Sequence, residues 1–212
     1  MAYRRTPAVQ ARLDAQAGTI VRAAMTVLSR DGFAGLSMAA VAAEAGVATG
    51  TVYKNFSGKA ELVTAVFREV VTREVEAVAE AGAAGAGRTA RDRVTAAVET
   101  FAGRALKNPK LAYVLLAEPV DTAVDAERLR FRRAFAETYV NAIADGVANG
   151  QLPPQDPLTS ATALVGAIGE VLVGPLSERL ESESVLPELV AFALRALGVP
   201  NAAPSNALPP ND

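Results

Sequence analysis

The stretch Ala45–Lys59, AGVATGTVYKNFSGK, gathers glycines, three threonine or serine hydroxyls, two lysines and a tyrosine inside a chain otherwise rich in alanine and leucine. It reads as a tight turn and a short helix. Two short helices joined by such a turn cross steeply, so the residue facing the second helix must be small. The turn needs a glycine at positive φ, and apolar side chains must fill the wedge between the helices. Ala42, Gly46 and Val52 stand at those offsets, with Val41 and Val47 as the wedge.

Outward from this turn, apolar residues recur at helical rather than strand spacing, and the chain reads as all α. Leu13, Ala17, Ile20, Val21, Ala24, Val27 and Leu28 share one face of a first helix that stops at Asp31-Gly32, where Phe33 can fold back onto Leu28. Ser37 caps a short helix reaching about Glu44. A long helix follows Ser57 or Gly58, from Lys59 to about Ala81, with Glu61 in its first turn. After the glycine-rich AGAAGAG, helices are predicted over roughly 88–107, 109–117, 122–149, 157–180 and 184–198, nine in all. The division expected is a head over 1–58, a larger body over 59–198, and a disordered proline-rich tail over 199–212.

Composition narrows the chemistry. The chain has 212 residues and lacks Cys, His and Trp. That removes disulfides, thiolate or imidazole metal sites and every catalytic scheme that needs histidine. No catalytic residue, metal site or cofactor is expected; the absence of cysteine and of a signal peptide fits a cytoplasmic protein. Residues 1–60 carry seven Lys/Arg against three acids, whereas the remainder carries fourteen against twenty. A basic head on an acidic body suits a protein whose head alone meets a polyanion.

A helix laid in a DNA major groove needs small residues in its first turn, and Ala48, Thr49 and Gly50 provide them. Phosphates around that contact need hydroxyl and ammonium donors, which Thr51, Tyr53 and Lys59 supply. Lys59 also sits where a helix N-terminus favours an anion. An ordinary helical hairpin, with Tyr53 and Phe56 in the core and both lysines solvated, satisfies the same pattern.

AAMTVLSRDGFAGLSMAAVAAEAGV (23–47) and TGTVYKNFSGKAEL (49–62) decide between them. Residues 13–62 resemble the N-terminal DNA-binding domain of the tetracycline-repressor (TetR) family of bacterial transcriptional regulators, most specifically in the run Gly50, Thr51, Tyr53, Phe56, Lys59 and Leu62. The resemblance implies that Ser37, Thr51, Tyr53 and Lys59 contact phosphates, and that Thr49, Gly50 and Lys54 face bases or their near surroundings. The chain departs from the family at Ala48, where a capping serine is common, and at Asn55, where a second aromatic is common. Arg4 and Arg5 form a basic arm that can enter a minor groove; a solvated tail is the alternative.

The body offers Phe67, Val71, Phe101, Tyr113, Leu116, Phe131, Phe135 and Tyr139 at helical spacing as candidate walls of an apolar cavity. The resemblance implies a small-molecule effector among the helices beginning at 59, 88, 109 and 122; the composition points to an apolar or weakly polar one. RLRFRR (128–133), flanked by Glu127 and Glu137, reads as solvated ion pairing or as a site for an acidic effector or partner. The helix over 157–180 is apolar almost all round and must be buried on more than one side. Its run between charges is shorter than a membrane span, and Glu170 interrupts it. Ala161, Leu164, Gly166, Ala167, Ile168, Gly169 and Leu172, with Leu186, Leu189, Val190, Phe192 and Leu197 of the last helix, are candidates for a homodimer interface. The resemblance implies a four-helix bundle there; internal core is the alternative.

Together these features predict a ligand-responsive regulator that binds a palindromic DNA operator as a homodimer, most simply as a repressor. A helical carrier or enzyme with a vestigial head, and a helical interaction module, are the rivals.

Overall fold

Gly32 divides the first helix. Its φ of 69° and ψ of −171° lie outside the helical region, so α1 (Pro7–Gly35) kinks where the Asp31-Gly32 signal predicts a stop, and Phe33 packs against the cluster that buries Leu28. The structure, a computed structural model, describes residues 6–83, 85, 87–118, 122–178 and 185–199. Arg4, Arg5 and the predicted tail from residue 200 onward lie outside these residues.

α2 (Met38–Ala45) starts at Ser37, whose Oγ accepts from the Ala40 amide at 3.1 Å, and ends on Gly46 at φ 65°. That left-handed residue turns the chain into α3 (Thr49–Asn55). α4 (Lys59–Ala81) begins after Gly58, and Glu61 reaches back to accept from the Ser57 amide and hydroxyl at 2.7 and 2.6 Å. α5 (Ala90–Lys107), α6 (Pro109–Leu116), α7 (Thr122–Ala148), α8 (Pro157–Glu178) and α9 (Val185–Ala196) complete nine helices, with no strand among the described residues. Their ends lie within two residues of the predicted ones, as expected where terminal turns fray.

Two apolar cores share α4. The head core joins Ile20 and Leu28 of α1, Val41 of α2 and Val52 of α3 to Leu62 and Phe67 of α4, and takes in Leu111 and Val114 from α6. The body core joins the far half of α4 to α5, α7, α8 and α9 around Val98, Tyr139, Ile143, Leu164, Ile168 and Leu194. Fully burying each such side chain contributes about 1.5–3 kcal/mol. Buried charges tie the helices together. Arg93 donates to the Gly82 carbonyl at 2.9 Å and to Asp145 at 2.7 Å, pinning the ends of α4 and α7 to α5. Glu127 of α7 accepts from Arg68 of α4 at 2.6 Å and from Arg130 at 2.8 Å.

Candidate nucleic-acid interface and effector chamber

The short α3 can stand on the head because Val52 is wholly buried beneath it and its other faces look outward. Thr49, Gly50, Tyr53 and Lys54 are exposed; Thr51 is half-buried. Tyr53 is 55% exposed, which an ordinary core aromatic would not be, so the hairpin alternative fails for it; Phe56 does lie in the core. No side chain caps α3 at Ala48. Asn55 turns inward, donating to the Thr51 carbonyl at 2.9 Å and to Gln16 of α1 at 3.3 Å, so the departure from an aromatic at this position fastens α3 to α1. Ser37 is exposed, and its cap uses only the hydroxyl as acceptor, leaving its proton to donate outward.

Lys59 has a partner that its sequence position does not announce. Its Nζ donates to the Phe33 carbonyl at 2.7 Å and lies 3.8 Å from the centre of the Phe33 ring. Burial holds its pKa below the ordinary lysine range, with Glu118 acting in the opposite direction. Two of its three N–H donors remain for an outside anion.

Beside this bond from α4, further bonds fasten the end of α1 to α6 and the residues after it. Asn108 donates to the Ser29 hydroxyl at 3.0 Å, Lys110 donates to the Arg30 carbonyl, and the Phe33 amide donates to Glu118 at 3.4 Å. Both ends of α6 therefore grip the last turns of α1, just before the helix-turn-helix.

The other side of α6 faces a cavity of about 850 Å3 bounded by α4, α5, α6, α7 and α8, with one residue of α1, Met25. Val71, Phe101, Leu116, Phe131 and Phe135 line it as predicted. Phe67, Tyr113 and Tyr139 do not. Phe67 is fully buried in the head core and reaches the cavity only by stacking on Phe131 at 5.9 Å between ring centres. Tyr139 is buried in the body core, which pushes its hydroxyl pKa well up, and Tyr113 packs against that core from its edge.

The cavity wall is less apolar than composition suggests, because Arg73, Arg104, Lys107, Arg128 and Arg132 share it with Glu74, Asp125 and Glu170. Arg104 is paired with Glu74 across α5 and α4, one of its bonds measuring 2.8 Å. Arg128 corrects the reading of RLRFRR as solvated. Its side chain is only 14% exposed, and it donates to the carbonyls of Leu115 at 3.0 Å, Val114 at 2.7 Å and Glu118, besides Asp125 at 2.9 Å. Burial pulls its pKa below the usual arginine range while Asp125 works to raise it. Arg130, by contrast, is 68% exposed and pairs with Glu127 as an ordinary helix-surface cation.

The dimer candidates divide in another way. Ala161, Leu164, Ile168, Leu172 and Leu189 are buried in the protomer's own core and cannot form an interface; of the six central candidates only Phe192, 40% exposed, faces outward. The reason is geometric. α8 carries one apolar stripe into the core and another, with Val165, Gly166, Gly169 and Val173, onto the cavity, while Leu158 in its first turn and Val171 on a different side of the helix are exposed. A further correction concerns its length: residues 157–177 are long and apolar enough to cross a membrane by length and composition, since Glu170 alone interrupts them. Core and cavity account for two of its faces.

Residues 20–66 match the family model of bacterial regulatory proteins of the tetR family. No curated protein matches the chain. Among solved structures, the fatty acid degradation regulator FadR from Bacillus halodurans superposes with a TM-score of 0.71 at 19% identity, over 92% of this chain and 96% of that one. FadR from Bacillus subtilis, in complex with stearoyl-CoA, gives 0.69 at 19% identity, over 85% and 95%. A TetR-like transcriptional regulator from Rhodococcus sp. RHA1 gives 0.64 at 26% identity, over 92% and 99%. Over residues 20–66 the chain thus carries the sequence pattern of the tetR family of bacterial regulatory proteins, and along its length it shares the fold of these solved structures.

Proposed function

We propose that the protein is a ligand-responsive repressor that binds a palindromic operator as a homodimer, through the exposed first turn of α3. The observation that carries this reading is the exposed face of Thr49, Gly50, Tyr53 and Lys54 on a fully buried Val52, within the stretch that matches the family model. Thr49, Gly50 and Lys54 approach base edges. Ser37, Thr51, Tyr53 and the free donors of Lys59 hold phosphates. Two heads read two half-sites, and the exposed strips of α8 and α9 join the protomers in the cytoplasm.

The effector occupies the cavity behind α6, in keeping with a neighbour of the same fold that holds stearoyl-CoA. Filling it shifts α6 and α4, which hold the end of α1 through Asn108, Lys110, Glu118 and Lys59. The heads then separate to a spacing that no longer fits both half-sites. Coupling of this kind is typically worth ~1–3 kcal/mol.

Titration of the full chain against its own upstream DNA at two ionic strengths tests the reading. The binding constant is expected to fall steeply with salt and to favour one fragment over unrelated duplex. Tight ligand binding without salt-sensitive DNA affinity would instead favour a carrier or enzyme with a vestigial head.

A further inference from the structure

Arg128 is the one cavity-lining guanidinium whose bonds go mainly to backbone. A guanidinium has five N–H donors. Nε serves Leu115, Nη2 serves Val114 and Glu118, and one Nη1 proton serves Asp125, so four of the five are committed. Three of those four acceptors are carbonyls at the C-terminal end of α6, where helices leave such groups without partners. The arginine is thus the clasp that closes the end of α6.

Its charge is poorly answered. Neutral carbonyls do not neutralise it, and its carboxylate partner Asp125 is itself 55% exposed and screened by water. Arg132, one turn further along α7 and itself exposed, adds a second, partly screened positive charge to the same wall and makes no ion pair among the described residues. The other acids offset them little: Glu74 is taken by Arg104, Glu170 sits exposed on α8, and Glu118, which acts on Arg128 through space, has its carboxylate turned to the Phe33 amide. A compact oxyanion set between Arg128 and Arg132 would gain charge-assisted, bidentate bonds stronger than those to carbonyls. Phe131 and Phe135, on the same helix, would hold an apolar chain beside it.

We propose that the effector is an amphiphile with a carboxylate or phosphate head, and that Arg128 senses this head by exchanging its hold on the end of α6 for it. The proposal rests on the cavity being the effector site and adds the effector's chemical class and the residue that reads it. Released from Arg128, the segment ending in Glu118 loosens, and Glu118 is the residue that accepts from the Phe33 amide at the end of α1. Ligand recognition and release of the head then meet in one side chain.

Isothermal titration of the full chain with dodecanoate, dodecyl phosphate and dodecanol tests this. At least one anion is expected to bind about ten-fold or more tighter than the alcohol; the tighter anion names the head group. Arg128→Gln should abolish that preference, and Arg132→Gln, at an exposed position that makes no ion pair among the described residues, should reduce it. Hydrogen exchange of the wild-type protein gives a readout independent of any variant. The anion, and not dodecanol, should speed exchange of the amides over residues 113–118 several-fold. Equal binding of all three compounds, no binding of any, a preference that survives in a folded Arg128→Gln protein, or unchanged exchange would each overturn the proposal. Operator titration without ligand judges the regulator reading separately, so the failure of one is distinguishable from that of the other.

Discussion

Gly50 meets nothing within 4 Å where a Cβ would stand, and its backbone is helical. A methyl group there removes no internal contact and favours the helix by about 0.5–1 kcal/mol. Gly50→Ala is therefore expected to melt at or above the wild-type temperature while binding operator DNA more weakly, because the methyl intrudes where base edges approach. Unchanged affinity would free Gly50 from any role at the groove. Lys59 presents the opposite case, since its ammonium serves the fold through Phe33 and is also the group proposed to hold a phosphate. Lys59→Ala should cost about 1–2 kcal/mol in urea unfolding, through loss of the Phe33 carbonyl bond and ring contact. It should also lower the slope of log affinity against log salt by about one unit. An unchanged slope would assign the lysine to the head–body joint alone. The two residues also show what the sequence could disclose: Gly50 is read from its neighbours in the chain, whereas the partner of Lys59 lies 26 positions away.

Helices were legible wherever glycine, proline or a cap punctuated them, as Gly32, Ser37, Gly46 and Pro109 do. The helix-turn-helix was legible for the same reason, its residues being contiguous. The cavity was harder to read. Its wall draws residues from six helices far apart in the chain, and periodicity cannot tell the apolar face that lines a space from the one that fills a core; Phe67 and Tyr139 went to the core. Long-range charge pairing was likewise hidden. Glu127 accepts from Arg68 of α4 as well as Arg130, and that first contact most strongly holds its carboxyl below the ordinary glutamate range. A carboxyl whose pKa is depressed by folding stabilises the native state above its unfolded value, and that contribution is lost as pH falls through the carboxylate range. Glu127→Gln should accordingly be about 1–2 kcal/mol less stable than wild type at pH 7, since Arg68 remains largely exposed to water. The gap should narrow as pH falls below about 4.5 in thermal melts, the ordinary value for this side chain. A gap independent of pH would show that shape, not charge, sets the contribution.

In the assembled molecule, α8 is the element whose faces must all be accounted for. One stripe closes the core and a second walls the cavity; Leu158 at 58%, Val171 at 49% and, on α9, Phe192 at 40% exposure remain. A contiguous exposed apolar patch marks an association surface, and Val171 and Phe192 are the large apolar side chains that the second half of α8 and α9 would contribute to one. A second copy of the chain, meeting the first across a two-fold axis, would cover them. Ile168, an obvious residue to charge on sequence grounds, cannot test this, because it is 1% exposed within the protomer. Ile168→Asp should unfold the protein by burying an unpaired carboxylate, whatever its oligomeric state. The informative variant carries Val171→Glu and Phe192→Glu together, at positions that solvent reaches in the single chain. It is expected to keep the wild-type helical circular dichroism, to run as a 21.9 kDa monomer in light scattering, and to lose most operator affinity because each half-site must then be bound alone. A folded variant that remains a dimer would move the interface off this surface, and the spacing of the two heads would have to be set elsewhere.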